Sequence, residues 1–286
     1  MPRALLPLAV LVACSPALPE LADGGLTHPV VCLVPVDGGV FASGLPATVP
    51  GCALTPRDAG LHDLGELGPS LRGGSFFVPD SSPGSPLPVV FAFHGAGATG
   101  ASARALFDLE AAADGGAIFV YPDAARGTWD IGPRSIDALR VDTAIRRLSE
   151  TTCIDPDRIY IAGFSAGAVF TLYLGCNVPG RFRGMASVAG EDLGRFDTRC
   201  CTGSISGIFI HGTADDTIRL SAGQLARSRT LGRDACQFSP LPDDENCQSY
   251  ACPAPYAVEA CEWPGGHAVP PWAGEEIWRF FSAGGS

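Results

Sequence analysis

An α/β fold with a mostly parallel central sheet, flanked by helices and stapled by disulfides, is what the sequence predicts. Three observations carry that expectation. From about residue 76, short apolar runs alternate with helix-length segments, the grammar of repeated strand–helix units. The 36 glycines and 25 prolines call for many tight connections rather than long uninterrupted helices. Eleven cysteines are too many for a reducing compartment unless they bind metal, and no pair of Cys-x-x-Cys knuckles is present.

The elements follow in order. Residues 1–14 place Arg3 ahead of an apolar run and end in Leu11-Val12-Ala13-Cys14, the layout of an export signal. Those last four residues resemble a bacterial lipobox, whose cysteine is lipidated and becomes the mature N-terminus; conventional cleavage is the alternative. Residues 15–29 read as a flexible tether. Residues 30–75, with Cys32 and Cys52 as a local pair, read as a loop-rich N-terminal extension, and 76–286 as the main domain. Strands are expected at 75–78, 89–93, 117–121, 159–162, 185–189, 205–210 and 257–262. Helices are expected at 101–113, 136–149, 166–175, 222–231 and 274–281. In the second helix, Ile136, Leu139, Thr143, Ile145 and Leu148 set out an apolar face, and Asp155-Pro156 marks a stop before the strand at 159.

Setting Cys14 aside leaves 11 − 1 = 10 cysteines, enough for five disulfides of open connectivity. Cys153, Cys176, Cys200 and Cys201 surround the sheet, while Cys236, Cys247, Cys252 and Cys261 cluster near the C-terminus. A net charge of −11 argues against nucleic acid or an anionic membrane surface as a partner. Contact with a membrane is therefore expected only through a lipid on Cys14, and the charge suits a neutral substrate outside the cell.

The strongest chemical signal is Gly163-Phe164-Ser165-Ala166-Gly167, entered from the apolar strand Ile159-Tyr160-Ile161-Ala162 and followed by a helix. This is Gly-x-Ser-x-Gly in the strand–turn–helix setting of a nucleophile elbow. Flanking glycines let a strained turn lift the serine hydroxyl above the sheet edge. The turn also aims the first N–H groups of the helix at the same point, where a developing oxyanion is stabilised. Serine is a weak nucleophile and needs a base, which needs an orienting acid. In hydrolases with this elbow the order is serine, acid, histidine. Only His211 and His267 lie downstream. Asp215 ends the segment Ile210-His211-Gly212-Thr213-Ala214-Asp215, so it suits the acid, with Asp216 a competitor and Asp192 and Asp197 ranked lower. His267, in Trp263-Pro264-Gly265-Gly266-His267, suits the base, leaving His211 as a structural hydrogen-bonder. Upstream, Val89-Val90-Phe91-Ala92-Phe93-His94-Gly95-Ala96-Gly97 is a strand running into a His-Gly-small-Gly turn of the kind that supplies a second oxyanion N–H. The expected donors are the N–H groups of Ala166 and Ala96. Trp129, Trp263 and Trp272 are candidates to line a substrate subsite, with core packing as the equal alternative.

Phe93-His94-Gly95, Tyr121-Pro122-Asp123 with Trp129-Asp130, Asp155-Pro156-Asp157-Arg158-Ile159-Tyr160, the elbow, His211-Gly212-Thr213-Ala214-Asp215 and Gly265-Gly266-His267 occur in that order. Together they resemble the secreted α/β-hydrolase esterases that include polyhydroxybutyrate depolymerases, feruloyl esterases and acetylxylan esterases. The resemblance covers roughly residues 75–281. It implies ester hydrolysis through an acyl-enzyme, without a metal or a dissociable cofactor, by the triad Ser165, Asp215 and His267. The implied partner is an ester substrate, polymeric in a polysaccharide ester or polyhydroxyalkanoate. The chain departs from the pattern at Ala168, where many members carry glycine, and in lacking a tryptophan beside Pro270. Rival readings are a peptidase or dienelactone-type hydrolase on the same fold, and a lipid-anchored binding protein with an inactive hydrolase core.

Overall fold

In a computed structural model, residues 57–80, 86–132, 134–178, 180–192, 204–241 and 247–284 are described. The expected signal with Cys14, the tether, and Cys32, Cys52, Asp197, Cys200 and Cys201 lie outside the described residues.

The described strands form one twisted sheet in the order β1-β2-β4-β3-β5-β6-β7-β9-β8. They are β1 (Gly60–Asp63), β2 (Gly74–Val78), β3 (Leu87–Phe93), β4 (Ile118–Pro122), β5 (Ile154–Phe164), β6 (Gly184–Val188), β7 (Ser206–Gly212), β8 (Cys247–Tyr250) and β9 (Val258–Trp263). The central strands β4, β3, β5, β6, β7 and β9 pair in parallel, while β1, β2 and β8 add antiparallel edges. The helices are α1 (Gly100–Phe107), α2 (Leu109–Ala113), α3 (Ile136–Thr151), α4 (Ala166–Asn177), α5 (Leu220–Arg233) and α6 (Ala273–Ala283). Both faces of the sheet are buried, in two apolar clusters, one holding Phe91, Phe93, Ile161 and Phe170 and the other Val90, Ala92, Ala162 and Ile208. Burial on both faces explains why β3 and β7 read as continuous apolar runs. α4 is covered on all sides, with every residue of 167–176 buried. No described helix is long and apolar enough to cross a membrane.

Of the segment 30–75, expected to be loop-rich, residues 57–75 are described. Its end supplies β1 and two 3-10 turns (Leu64–Leu67 and Pro69–Leu71), whose Leu64, Leu67 and Leu71 are buried in the core. Several expectations are corrected. Asp155-Pro156 is not a stop ahead of the strand but lies inside β5. The strand begins at Ile154, and the disturbance is absorbed as a register shift against β3 between Leu87 and Val89, where a proline without an N–H is tolerated. The single helix expected at 101–113 is broken at Asp108, which takes a left-handed conformation with φ 48°. The face of α3 is also turned. Ile136 and Leu139 are 42% and 46% exposed, while Ala138, Val141, Ala144, Ile145 and Leu148 are buried together with Asp137 and Asp142. Those carboxylates face inward because they have donors there: Asp137 accepts from Ala125 and Asp130 N–H, each at 2.9 Å, and Asp142 pairs with Arg146 and Arg181.

Disulfides join Cys236 to Cys252 and Cys247 to Cys261, and Cys153 and Cys176 are also disulfide-bonded. The second bridge ties β8 to its register partner on β9, the strand that leads to the His267 loop. Cross-links of this density suit an oxidising compartment.

Candidate active site

In an open parallel sheet, the crevice beyond the carboxyl ends of the strands is where ligands bind. Four strands deliver the candidate residues there. β3 exits into the His94 loop, β5 into Ser165, β7 into Asp215 and β9 into His267.

Ser165 lies between β5 and α4 with φ 55° and ψ −118°, an uncommon conformation for a residue with a Cβ. Its N–H donates to the Val188 carbonyl of β6 at 3.0 Å, and its carbonyl accepts from Val169. The two motif glycines are fixed by close approach. A Cβ on Gly163 would sit 2.1 Å from the Gly167 carbonyl oxygen, and a Cβ on Gly167 would sit 2.2 Å from that of Phe93. Gly167→Ala is therefore expected to push α4 off the end of β3 and to destabilise the protein by about 1–3 kcal/mol. A denaturant melt checks it, and an unchanged midpoint would contradict this packing.

His267 joins the other two residues. Its Nε2 lies 2.9 Å from Ser165 Oγ, and its Nδ1 lies 2.8 Å from Asp215 Oδ2. A carboxylate only accepts, so Nδ1 carries the proton and Nε2 is left to accept from the serine hydroxyl. The other oxygen of Asp215, Oδ1, accepts from the N–H groups of Thr217 and Ile218, both at 2.9 Å. Burial pushes the Asp215 carboxyl up. The hydrogen bond from His267 and those from Ile218 and Thr217 outweigh burial, and the carboxyl is held below its ordinary value. The two loops are stitched together, Thr213 N–H donating to the Trp263 carbonyl at 2.8 Å and Ala214 N–H to that of Gly265 at 2.9 Å. Of the competing acids, Asp216 is exposed and Asp192 pairs with Arg229 on α5. Phe164 is a neighbour that the sequence did not reveal: its ring packs 5.0 Å from the His267 imidazole. The x position of the motif carries no signal of that contact.

Ala166 opens α4, so its N–H has no partner within the helix. The Ala96 N–H likewise has no acceptor among the described residues. The loop that carries it is tightly held. Ala124 N–H donates to His94 Nε2 at 3.0 Å, which leaves Nδ1 to donate to the Gly95 carbonyl at 2.7 Å. Gly97 N–H donates to the Gly127 carbonyl at 2.8 Å.

Of the two alternatives for Trp129, the structure shows core packing. Trp129 is only 6% exposed, stacks on Phe170 with ring centroids 4.9 Å apart, and donates its indole N–H to the His94 carbonyl at 2.7 Å. It is a core residue supporting the His94 loop, not a lining of the crevice. Trp263 and Trp272 are half-buried and pack against the core.

Residues 137–245 match the Phospholipase/Carboxylesterase family model. The chain is 25% identical over 260 residues to a probable feruloyl esterase C of Aspergillus niger, covering 83% of this chain and 92% of that protein. It is 31% identical over 150 residues to the putative esterase NocK of Nocardia uniformis subsp. tsuyamanensis, covering 47% of this chain and 43% of that one. Among solved structures, the acetyl xylan esterase of Aspergillus awamori superposes with a TM-score of 0.65 at 16% identity, over 78% of this chain and 99% of that one. Taken with the sheet order and helical layers, these likenesses show an α/β-hydrolase fold, similar in sequence and architecture to esterases.

Proposed function

We propose that the protein is an exported serine esterase that hydrolyses carboxylic esters through an acyl-enzyme on Ser165. The observation that carries this reading is the unbroken chain from Ser165 Oγ through His267 to Asp215, with contacts of 2.9 and 2.8 Å. Ser165 Oγ attacks the ester carbonyl as His267 Nε2 takes its proton, and Asp215 steadies the resulting imidazolium. The N–H groups of Ala166 and Ala96 receive the oxyanion, and His267 then protonates the leaving alcohol. Water, activated by His267, attacks the acyl carbonyl, releasing the carboxylic acid and restoring Ser165.

The substrate class we propose is a feruloyl or acetyl ester of a polysaccharide, following the names of the relatives; a hydroxybutyrate oligomer is the competing ester. Lipidation at Cys14 would hold the enzyme at the cell envelope, and the disulfides support export.

Two measurements test the reading. A fluorophosphonate should label the protein stoichiometrically, with the mass increment on the Ser165 peptide. Turnover should be highest on feruloyl or acetylated-sugar esters in a panel that also holds hydroxybutyrate oligomers and peptide amides. Absence of labelling would favour the binding-protein reading, and preference for amides would favour a peptidase.

A further inference from the structure

A second histidine lies against the acid. His211, at the end of β7, is only 5% exposed. Its Nε2 is 2.8 Å from the Ile218 carbonyl, which can only accept, so Nε2 carries the proton. The same Nε2 lies 3.4 Å from Asp215 Oδ2, the oxygen that faces His267. Ile218 also donates its own N–H to Asp215 Oδ1. His211 thus grips, through Ile218, the turn that holds the carboxylate.

The opposite side of the ring is equally defined. A Cβ on Gly223 of α5 would sit 2.3 Å from His211 Nδ1, so the helix backbone presses directly on the imidazole. Around the same small cavity, Ser187 comes from β6, Gln224 and Arg227 from α5, and Glu262 from β9. Glu262 accepts from Gln224 at 2.9 Å and pairs with Arg227 at 3.5 Å, so its charge is already engaged.

We propose that His211 is a positioning residue for the reaction: by holding Ile218 and lying beside Oδ2, it fixes the Asp215 carboxylate in the orientation that His267 needs. This rests on the triad reading above. A shift of about 1 Å in a supporting group can cost on the order of 100-fold in rate.

The test compares His211→Gln, His211→Asn and His211→Phe with the parent. Gln can place an amide N–H near the Nε2 position, Asn cannot reach it, and Phe keeps the ring without a donor. We expect kcat to fall roughly 10- to 100-fold in the Asn and Phe variants with KM little changed, and Gln to recover much of the loss. The rate of fluorophosphonate labelling per folded molecule should follow the same order. Gly223→Ala, which displaces the ring from behind, should also lower kcat. Equal kcat in the Gln and Asn variants, or parental kcat in folded His211→Phe, would overturn the proposal. If Ser165→Ala abolishes labelling while the His211 variants label like the parent, this inference fails and the triad reading stands. If Ser165→Ala keeps its activity, the triad reading itself fails.

Discussion

Replacing Ser165 by alanine is expected to lower kcat by about a million-fold while leaving the fold intact. The substitution keeps the Cβ, so the residue can retain its φ of 55°, and the bond from its N–H to the Val188 carbonyl is unaffected. What disappears is one oxygen, 2.9 Å from His267 Nε2. With the N–H groups of Ala166 and Ala96 still in place, a residual acceleration of about 1,000- to 10,000-fold over water is expected. Turnover of a short nitrophenyl ester alongside a thermal melt checks both halves. A variant that melts like the parent and keeps more than a tenth of its kcat would remove Ser165 from the chemistry. A variant that loses activity together with its fold would indicate that the hydroxyl has a structural partner.

The elbow was legible because its requirement is steric and local. Backbone oxygens 2.1 and 2.2 Å from where a Cβ would sit leave only glycine at 163 and 167, and glycine spacing is visible in a one-dimensional string. The order of strand and helix was legible for a related reason. Strands buried on both faces are continuous apolar runs, and their lengths separate them from helices. Long-range pairing was much less visible. β8, with the sequence Cys247-Gln248-Ser249-Tyr250, lacks branched residues and exists because it pairs with β9 and is bridged to it.

The face of α3 was misread for an instructive reason. Hydrophobic spacing selects Ile136 and Leu139, yet the inward face carries Asp137, because the loop after β4 presents the N–H groups of Ala125 and Asp130 to it. A buried acid with donors is invisible to a periodicity that treats every carboxylate as a surface group. Trp129 stood between two equal alternatives for a similar reason. Its indole N–H is satisfied by a carbonyl 35 residues upstream, so a loop tryptophan became a pillar of the core. The loops that order His267, Asp215 and His94 depend on such non-local contacts, and the sequence could name the residues without giving the distances between them.

Asp215→Asn is expected to lower kcat by about 10,000-fold with the side chain still in place. The direction follows from which oxygen is already committed. Oδ1 accepts from two backbone N–H groups at 2.9 Å, so the amide oxygen of asparagine must take that position. The amide nitrogen then replaces Oδ2, 2.8 Å from His267 Nδ1. Since that nitrogen is a donor, Nδ1 must become the acceptor, and the ring proton moves to Nε2. Nε2–H then faces Ser165 and cannot take its proton. The loss should fall on kcat, and the rate of fluorophosphonate labelling should drop with it. Stability carries a second signature. The folded Asp215 carboxyl titrates below its ordinary value of 3.8, so it stabilises the native state above that pH and loses the contribution as the pH falls through its folded value. The difference in unfolding free energy between parent and Asp215→Asn should be largest near neutral pH and narrow as the pH drops below about 4. A gap that stays constant to pH 2, measured by denaturant titration, would mean that the His267, Thr217 and Ile218 donors do not favour the ionised carboxylate.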